Sequence, residues 1–337
     1  MTRNRVLAVT ALTFAVLFWS GNFMLGGAAV ASMSVTSLMF IKWAAALIPL
    51  VVLTHFIERP DWLGVLRHWK FLLVLSMLGI IGYGFMFYEG LRTTSGFNAS
   101  LITALNPAMI VIAASIFLKD RITRRGILGI AIALIGALWA LSDGQLGILF
   151  SHGFGVGDLW MFGVISVWTA YTLIIRWGPP IPPLTSTSLQ VTIAVTIMAP
   201  IAIADGMTLP STTAGAWSLA YIAIFPSIGA YILYNYGSKE IEPGQAGMFL
   251  NLTVVFTAIF TVLSGQPLSM AQLVGAVLIL GGVAMTTELR SRGVGKRRKA
   301  ADKADKNEDT LDPAPPFDGV TDSAQHIRVA SQHWQSD

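Results

Sequence analysis

The chain has 337 residues, 54% hydrophobic and 12% charged, with Lys+Arg 22 against Asp+Glu 18 and a formal net charge of +4. From Glu288 onward, 50 residues hold 18 of those charges, so the first 287 residues hold only 22. A water-soluble domain of that size cannot cover its surface with so few charges. This excludes an ordinary soluble enzyme, a charge-driven nucleic-acid binder and a disordered chain, and leaves a polytopic membrane protein with a polar tail.

Uncharged stretches of more than 30 residues exceed the roughly 20 apolar residues that one membrane helix needs, and turn residues divide them. Ten helices are predicted, at 6–27, 36–57, 71–90, 95–118, 126–142, 157–176, 185–204, 215–236, 243–264 and 270–288. The runs are apolar on all faces, whereas barrel strands would alternate polar and apolar residues. The first run follows Arg3 and Arg5, and Ala29-Val30-Ala31 looks like a signal-peptidase site. It is about twice as long as a signal core and is read as a retained span. Within it Trp19, Asn22 and Phe23 share one face by helical spacing, and no acid occurs from Val6 to Ile41.

The second helix carries Lys42, a candidate partner for a substrate carboxylate, with snorkelling to the interface as the alternative. The third offers Tyr83, Phe87 and Tyr88 among Gly79, Gly82, Gly84 and Gly90, and ends at Glu89 and Arg92. Glu89 and Arg92 read as an exposed pair. The fourth offers Asn98, Thr103, Asn106 and Pro107; with Gly82 and Gly90, Pro107 is a candidate hinge. The fifth and tenth, spaced by Gly126, Gly129, Gly136, Gly275, Gly281 and Gly282, read as scaffold or dimer surfaces. The sixth opens on Asp158 and carries Trp168, Tyr171 and Thr172; the eighth carries Tyr231, Tyr234 and Asn235, and the ninth Asn251 and Thr253. Buried amides in lipid need partners and either bind substrate or bridge helices. Mid-span tryptophan is unlike an interfacial belt.

Lys and Arg set the topology. Seventeen lie in loops of one side: Arg3, Arg5, Arg59, Arg67, Lys70, Lys119, Arg121, Arg124, Arg125, Arg176, Lys239 and six between Arg290 and Lys299. Arg92 alone lies opposite. Ten spans with both termini in the cytoplasm fit this split. The run Lys296-Arg297-Arg298-Lys299 reads as a stop signal rather than a lipid-binding patch, and the tail from 291 to 337 as polar and disordered.

The chain repeats itself. At an offset of 147, Gly82 meets Gly229, Gly90 meets Gly237, Arg92 meets Lys239 and Ala99 meets Ala246. After a one-residue slip Gly129 meets Gly275 and Gly136 meets Gly282, and at the start of the halves Trp19 pairs with Trp168 at an offset of 149. Repeats are placed at 1–145 and 153–290. Five spans per repeat is an odd number, so the two must be inverted, an arrangement that puts a transporter's site near the midplane.

Phe117-Leu118-Lys119-Asp120-Arg121-Ile122-Thr123 followed by Gly129 and Gly136, together with Asn106-Pro107, Trp19 with Gly21-Asn22-Phe23, and Gly157-Asp158 with Trp168, resembles the EamA-type repeat of the drug/metabolite transporter superfamily. The resemblance covers residues 6–288 and implies a ten-helix transporter of the bacterial inner membrane, most similar to YddG-type exporters of aromatic amino acids. Departures are Asp120 where Glu is usual, Gly265-Gln266-Pro267-Leu268 without its charge, Val254 for Pro, and Lys42 where Arg is common.

Catalysis lacks its residues. The sequence holds no cysteine and none of the HExxH, GxSxG or phosphate-loop motifs, and His55, His68, His152, His326 and His333 sit in loops or the tail. No metal site and no cofactor is expected. The partners expected are a small-molecule substrate and membrane lipid, with no nucleic acid. Organic-cation export would want an acid in the first helix, and phosphate carriage several buried cations. The expected cargo is therefore a neutral or zwitterionic metabolite, an aromatic or apolar amino acid first, carried by alternating access. Export of lipophilic drugs or nucleosides is the alternative, and a non-transporting scaffold the reading from another class.

Overall fold

A computed structural model describes residues 3–117, 119, 122–147, 154–241 and 249–285. Among these residues every regular element is helical. The tail from 291 on, with its basic run, lies outside the described residues, as do Asp120 and Arg121 and the 148–153 segment between the predicted repeats.

The helices are α1 Arg3–Ser32, α2 Val35–Glu58, α3 Trp69–Gly90, α4 Gly96–Phe117, α5 Arg124–Leu141, α6 Val156–Ile175, α7 Pro183–Ala204, α8 Thr213–Ser238, α9 Leu252–Leu263 and α10 Met270–Met285. Eight of them, α1 to α8, are long and apolar enough to cross a membrane. The last two are shorter than the predicted 243–264 and 270–288: α9 starts only after a turn at Leu250 and Asn251, and α10 is described only as far as Met285. Ile48, Ile135, Trp217 and Val277 sit inside these helices at 72%, 59%, 74% and 70% exposure. Large apolar side chains so exposed require a lipid solvent.

Caps follow from the sequence. Ser34, Ser95, Thr123 and Thr212 each precede a helix and accept from the backbone N–H three residues on, in α2, α4, α5 and α8. Pro183 opens α7, where its missing N–H costs nothing. α1, expected to begin at 6 and end at 27, starts at Arg3 and continues to Ser32, packing against α8 and α9. The signal-like Ala29 and Val30 are buried core residues.

Two helices leave α geometry midway. α3 passes through a π segment at Met77–Gly82 and α8 through one at Phe225–Gly229. Their glycine ends, Gly82 and Gly229, are the pair that the 147-residue offset aligns. In α8 the cause is visible: Pro226 has no N–H for the ladder, and Ser227 Oγ instead donates to the Ile222 carbonyl at 2.8 Å. In α3, Gly79 lets α6 approach; a β-carbon there would lie 2.6 Å from the Tyr171 ring. α4, expected as one helix, is broken at Ala104 and Leu105, within the turn ahead of Pro107, whose missing N–H leaves the Thr103 carbonyl without its ladder donor.

α1 packs on α8 and α9, and α6 packs on α3 and α4. α2 packs on α7 and is bonded to it at both ends. At one end Ser34 N–H donates to Thr208 Oγ1 and Thr208 N–H to Ser37 Oγ, both at 2.9 Å. At the other, the Glu58 carboxylate accepts from the backbone N–H of Leu184 and Thr185 at 3.1 and 2.8 Å. It thereby caps the start of α7 from a different helix. Thr54 Oγ1 meets Ser188 Oγ at 2.7 Å in between. α5 and α10 meet through glycine. A β-carbon on Gly275 would lie 2.5 Å from both the Gly136 carbonyl oxygen and Ala140 Cβ, and one on Gly282 would run into the Gly129 carbonyl.

Gly275→Ala should therefore force α5 and α10 apart and cost about 1–3 kcal/mol, whereas Gly281→Ala meets nothing within 4 Å and should cost nothing. Thermal unfolding of the two variants in detergent checks this; equal midpoints would contradict the glycine contact.

Candidate functional site

The helices enclose one large apolar-walled cavity of about 440 Å³, within the size range of small-molecule sites. Its walls come from both halves of the chain. Trp19, Asn22 and Phe23 of α1, Lys42 of α2, Tyr83, Phe87 and Tyr88 of α3, and Thr103, Asn106 and Pro107 of α4 all line it. So do Trp168 and Tyr171 of α6, Tyr231, Tyr234 and Asn235 of α8, and Asn251 just before α9.

Two aromatic groups face the cavity. In one, the Trp19 ring lies 5.7 Å from Tyr231 edge-on and 5.3 Å from Tyr234. In the other, Trp168 stacks on Tyr171 at 5.0 Å and meets Tyr83 at 5.2 Å. Phe87 bridges Tyr83 at 5.9 Å and Phe23 at 4.9 Å. Such edge and offset contacts suit ring quadrupoles and leave flat apolar faces for a guest. The Trp19 indole N–H donates to the Pro226 carbonyl at 3.2 Å, which anchors α1 to the π segment of α8.

The amides divide by their partners. Asn235 Nδ2 donates to the Tyr231 carbonyl at 2.8 Å, and Asn106 Oδ1 accepts from Thr169 Oγ1 at 3.3 Å. Asn22 Oδ1 accepts from the Tyr88 hydroxyl at 2.9 Å, and Tyr88 Oη in turn accepts from Lys42 Nζ at 3.1 Å. Lys42, Tyr88 and Asn22 thus form one polar chain in the wall. Lys42 is only 7% exposed, and its ammonium lies 4.6 Å from the Trp43 ring centroid and 4.8 Å from that of Tyr88. The snorkelling alternative for Lys42 is corrected: the side chain turns inward because ring faces and a phenol oxygen hold it there.

Other expectations fall elsewhere. Asn98 is not in the cavity wall. It follows the Ser95 cap of α4, and its Oδ1 accepts from Gln272 Nε2 of α10 at 3.1 Å, so it bridges helices. Gly90 packs on α6, where a β-carbon would meet Met161 Cε at 2.5 Å and the Gly157 carbonyl at 3.2 Å. Gly82 closes the π segment of α3. Glu89 and Arg92 pair at 3.4 Å as neighbours on one exposed turn, away from the cavity lining. Asp158 accepts from Thr94 Oγ1 at 2.6 Å beside the start of α6.

Trp43, Ser100, Thr187, Pro226 and Ser227 also line the cavity and were missed. For Pro226 and Ser227 the signal was present, since the repeat offset aligns them with Gly79 and Ile80, which line it too. Among the described residues no group of His, Cys, Asp and Glu is arranged to hold a metal ion.

Tyr88→Phe removes the hydroxyl that both Lys42 and Asn22 use. It should lower stability by about 1–3 kcal/mol, read as a drop in the thermal midpoint. An unchanged midpoint would mean that the polar chain holds nothing together.

The sequence profile of the EamA-like transporter family matches twice in succession, over residues 6–142 and 155–287. Among curated proteins, the chain is 32% identical over 216 residues to the uncharacterized transporter YyaM of Bacillus subtilis, covering 63% of this chain and 70% of that one. It is 24% identical over 292 residues to the uncharacterized transporter YrdR of the same organism, covering 82% and 90%. It is also 24% identical over 283 residues to an uncharacterized transporter of Archaeoglobus fulgidus, covering 83% and 98%. A protein of known crystal structure superposes with a TM-score of 0.58 at 18% identity, over 85% of this chain and 98% of that one. That likeness is one of fold.

Proposed function

This chain belongs to the EamA-like transporter family, and we propose that it carries small neutral or zwitterionic metabolites, aromatic or apolar amino acids foremost, across the bacterial inner membrane. The observation that carries this reading is the cavity: aromatic faces for an apolar side chain, with amides, hydroxyls and one ammonium for polar ends, drawn from both halves of the chain. An aromatic side chain leaving water for such a wall gains about 1.5–3 kcal/mol. That is enough for selection and small enough for release.

The mechanism proposed is alternating access between two inverted five-helix repeats, 1–145 and 153–290, followed by a polar tail, with ten spans and both termini cytoplasmic. Two successive family matches support the duplication. So does the reciprocal packing of α1 on α8 and α9 and of α6 on α3 and α4. The paired π segments supply bending points where the cavity wall is also made. α2 with α7 and α5 with α10 form fixed contacts around which the other helices tilt. The sequence's resemblance to YddG-type exporters is in keeping with the same cargo.

Trp19→Ala and Trp168→Ala should each cut uptake of radiolabelled phenylalanine into proteoliposomes by about tenfold, the equivalent of ~1.4 kcal/mol. If both variants transport like the parent, the aromatic wall is not the substrate site; if the parent moves drugs or nucleosides but no amino acid, the cargo is wrong.

The inversion has its own test, made simple by a sequence without cysteine. In intact cells an impermeant maleimide should label Gln145→Cys and spare Asp61→Cys. Labelling of both from one side would remove the inverted arrangement.

A further inference from the structure

Among the described residues that line the cavity, Lys42 is the one side chain with a formal charge. Its ammonium is buried, and Tyr88 Oη accepts one of its three N–H groups. Among the described residues neither a carboxylate nor a further acceptor takes the other two. Next to it in sequence and also lining the cavity, Trp43 is 5% exposed, and its indole N–H has no hydrogen-bond partner there either. Asn22 has one lone pair of its carbonyl oxygen taken by Tyr88, while its two amide N–H groups are donors it can turn toward a guest. This end of the cavity is therefore rich in donors and holds one ionisable amine that no carboxylate of the described residues pairs.

Nothing equivalent exists for a cation. No Asp or Glu lines the cavity among the described residues, and a guest ammonium would meet ring faces while Lys42 repels it. A guest with one carboxylate neutralises the site. A dicarboxylate overshoots, leaving a buried charge unpaired at a cost of several kcal/mol.

We infer that the cavity selects monocarboxylates with an aromatic or apolar body, the carboxylate seated at Lys42 beside Trp43 and Asn22, and that an α-ammonium is no part of the recognition. Amino acids are then a subset of the substrates. The inference rests on the transport reading for its physiological sense and adds to it which end of the guest is read.

Four probes of one shape decide it: phenylalanine, 3-phenylpropionate without the ammonium, 2-phenylethylamine without the carboxylate, and the uncharged 3-phenylpropanamide. Binding to the purified full chain is followed by quenching of tryptophan fluorescence, and flux by radiolabelled uptake into proteoliposomes. The expected result is that 3-phenylpropionate binds at least as tightly as phenylalanine, and that the amine and the amide bind at least tenfold more weakly. Lys42→Met should weaken the two carboxylates at least tenfold and leave the amine bound no more weakly than before, with Lys42→Arg restoring most of the loss. Amine or amide binding as tight as 3-phenylpropionate overturns the inference, and uptake of either then leaves the transport reading intact. Lys42-dependent binding of 3-phenylpropionate without flux of any probe upholds the carboxylate site and removes the transport reading. Binding of none of the four overturns the carboxylate site. If Lys42→Met fails to fold, the four probes on the parent chain decide alone.

Discussion

Hydrocarbon offers no hydrogen bonds, so each polar group placed at membrane depth has to find its partner inside the protein. That constraint organises this molecule. Its polar side chains fall into those that close helix on helix and those that converge on the cavity. Thr54 with Ser188, Asn98 with Gln272 and Ser76 with the Gln190 carbonyl belong to the first kind. Lys42, Tyr88 and Asn22 belong to the second, and among the described residues Lys42 is the one amine in that wall. Burial of an ammonium is costly, and aromatic faces and a phenol oxygen reduce that cost without cancelling the charge.

The same constraint explains where the backbone departs from helix. The π segments and the break before Pro107 free carbonyl and amide groups, and such groups are tolerated at membrane depth only where protein or a cavity receives them. In α8 the Trp19 indole N–H donates to the Pro226 carbonyl and the Ser227 hydroxyl to the Ile222 carbonyl. Irregular backbone and cavity therefore coincide. The glycine contacts of α5 and α10 lie away from that wall, where close approach of two regular helices needs no polar partner.

Much of this was legible in the sequence because the controlling quantities are one-dimensional. Apolar run length locates a span, and helical spacing puts Trp19 beside Asn22 and Trp168 beside Tyr171. What was not legible depends on which neighbour a face meets. Asn98 has the composition of a cavity residue, but its position at the start of α4 brings it to Gln272. Lys42 could be placed on a helix without knowing whether it turned outward, and Trp43 belongs to none of the aromatic trios set at helical spacing, so its place in the wall depends on how α2 is rotated. The π segments leave no periodic trace; only Gly79, Gly82 and Pro226, read through the repeat, hint at them.

The partners of these buried groups also impose an order on biosynthesis. Asn22, Lys42 and Tyr88 all belong to the first ninety residues, so the ammonium gains its neighbours as soon as α3 enters the bilayer. Glu58, Thr54 and Ser76 bond to residues 184–190, which the ribosome makes more than a hundred residues later. The nascent first half therefore enters the membrane with its charge already sheltered and its docking face for α7 still open.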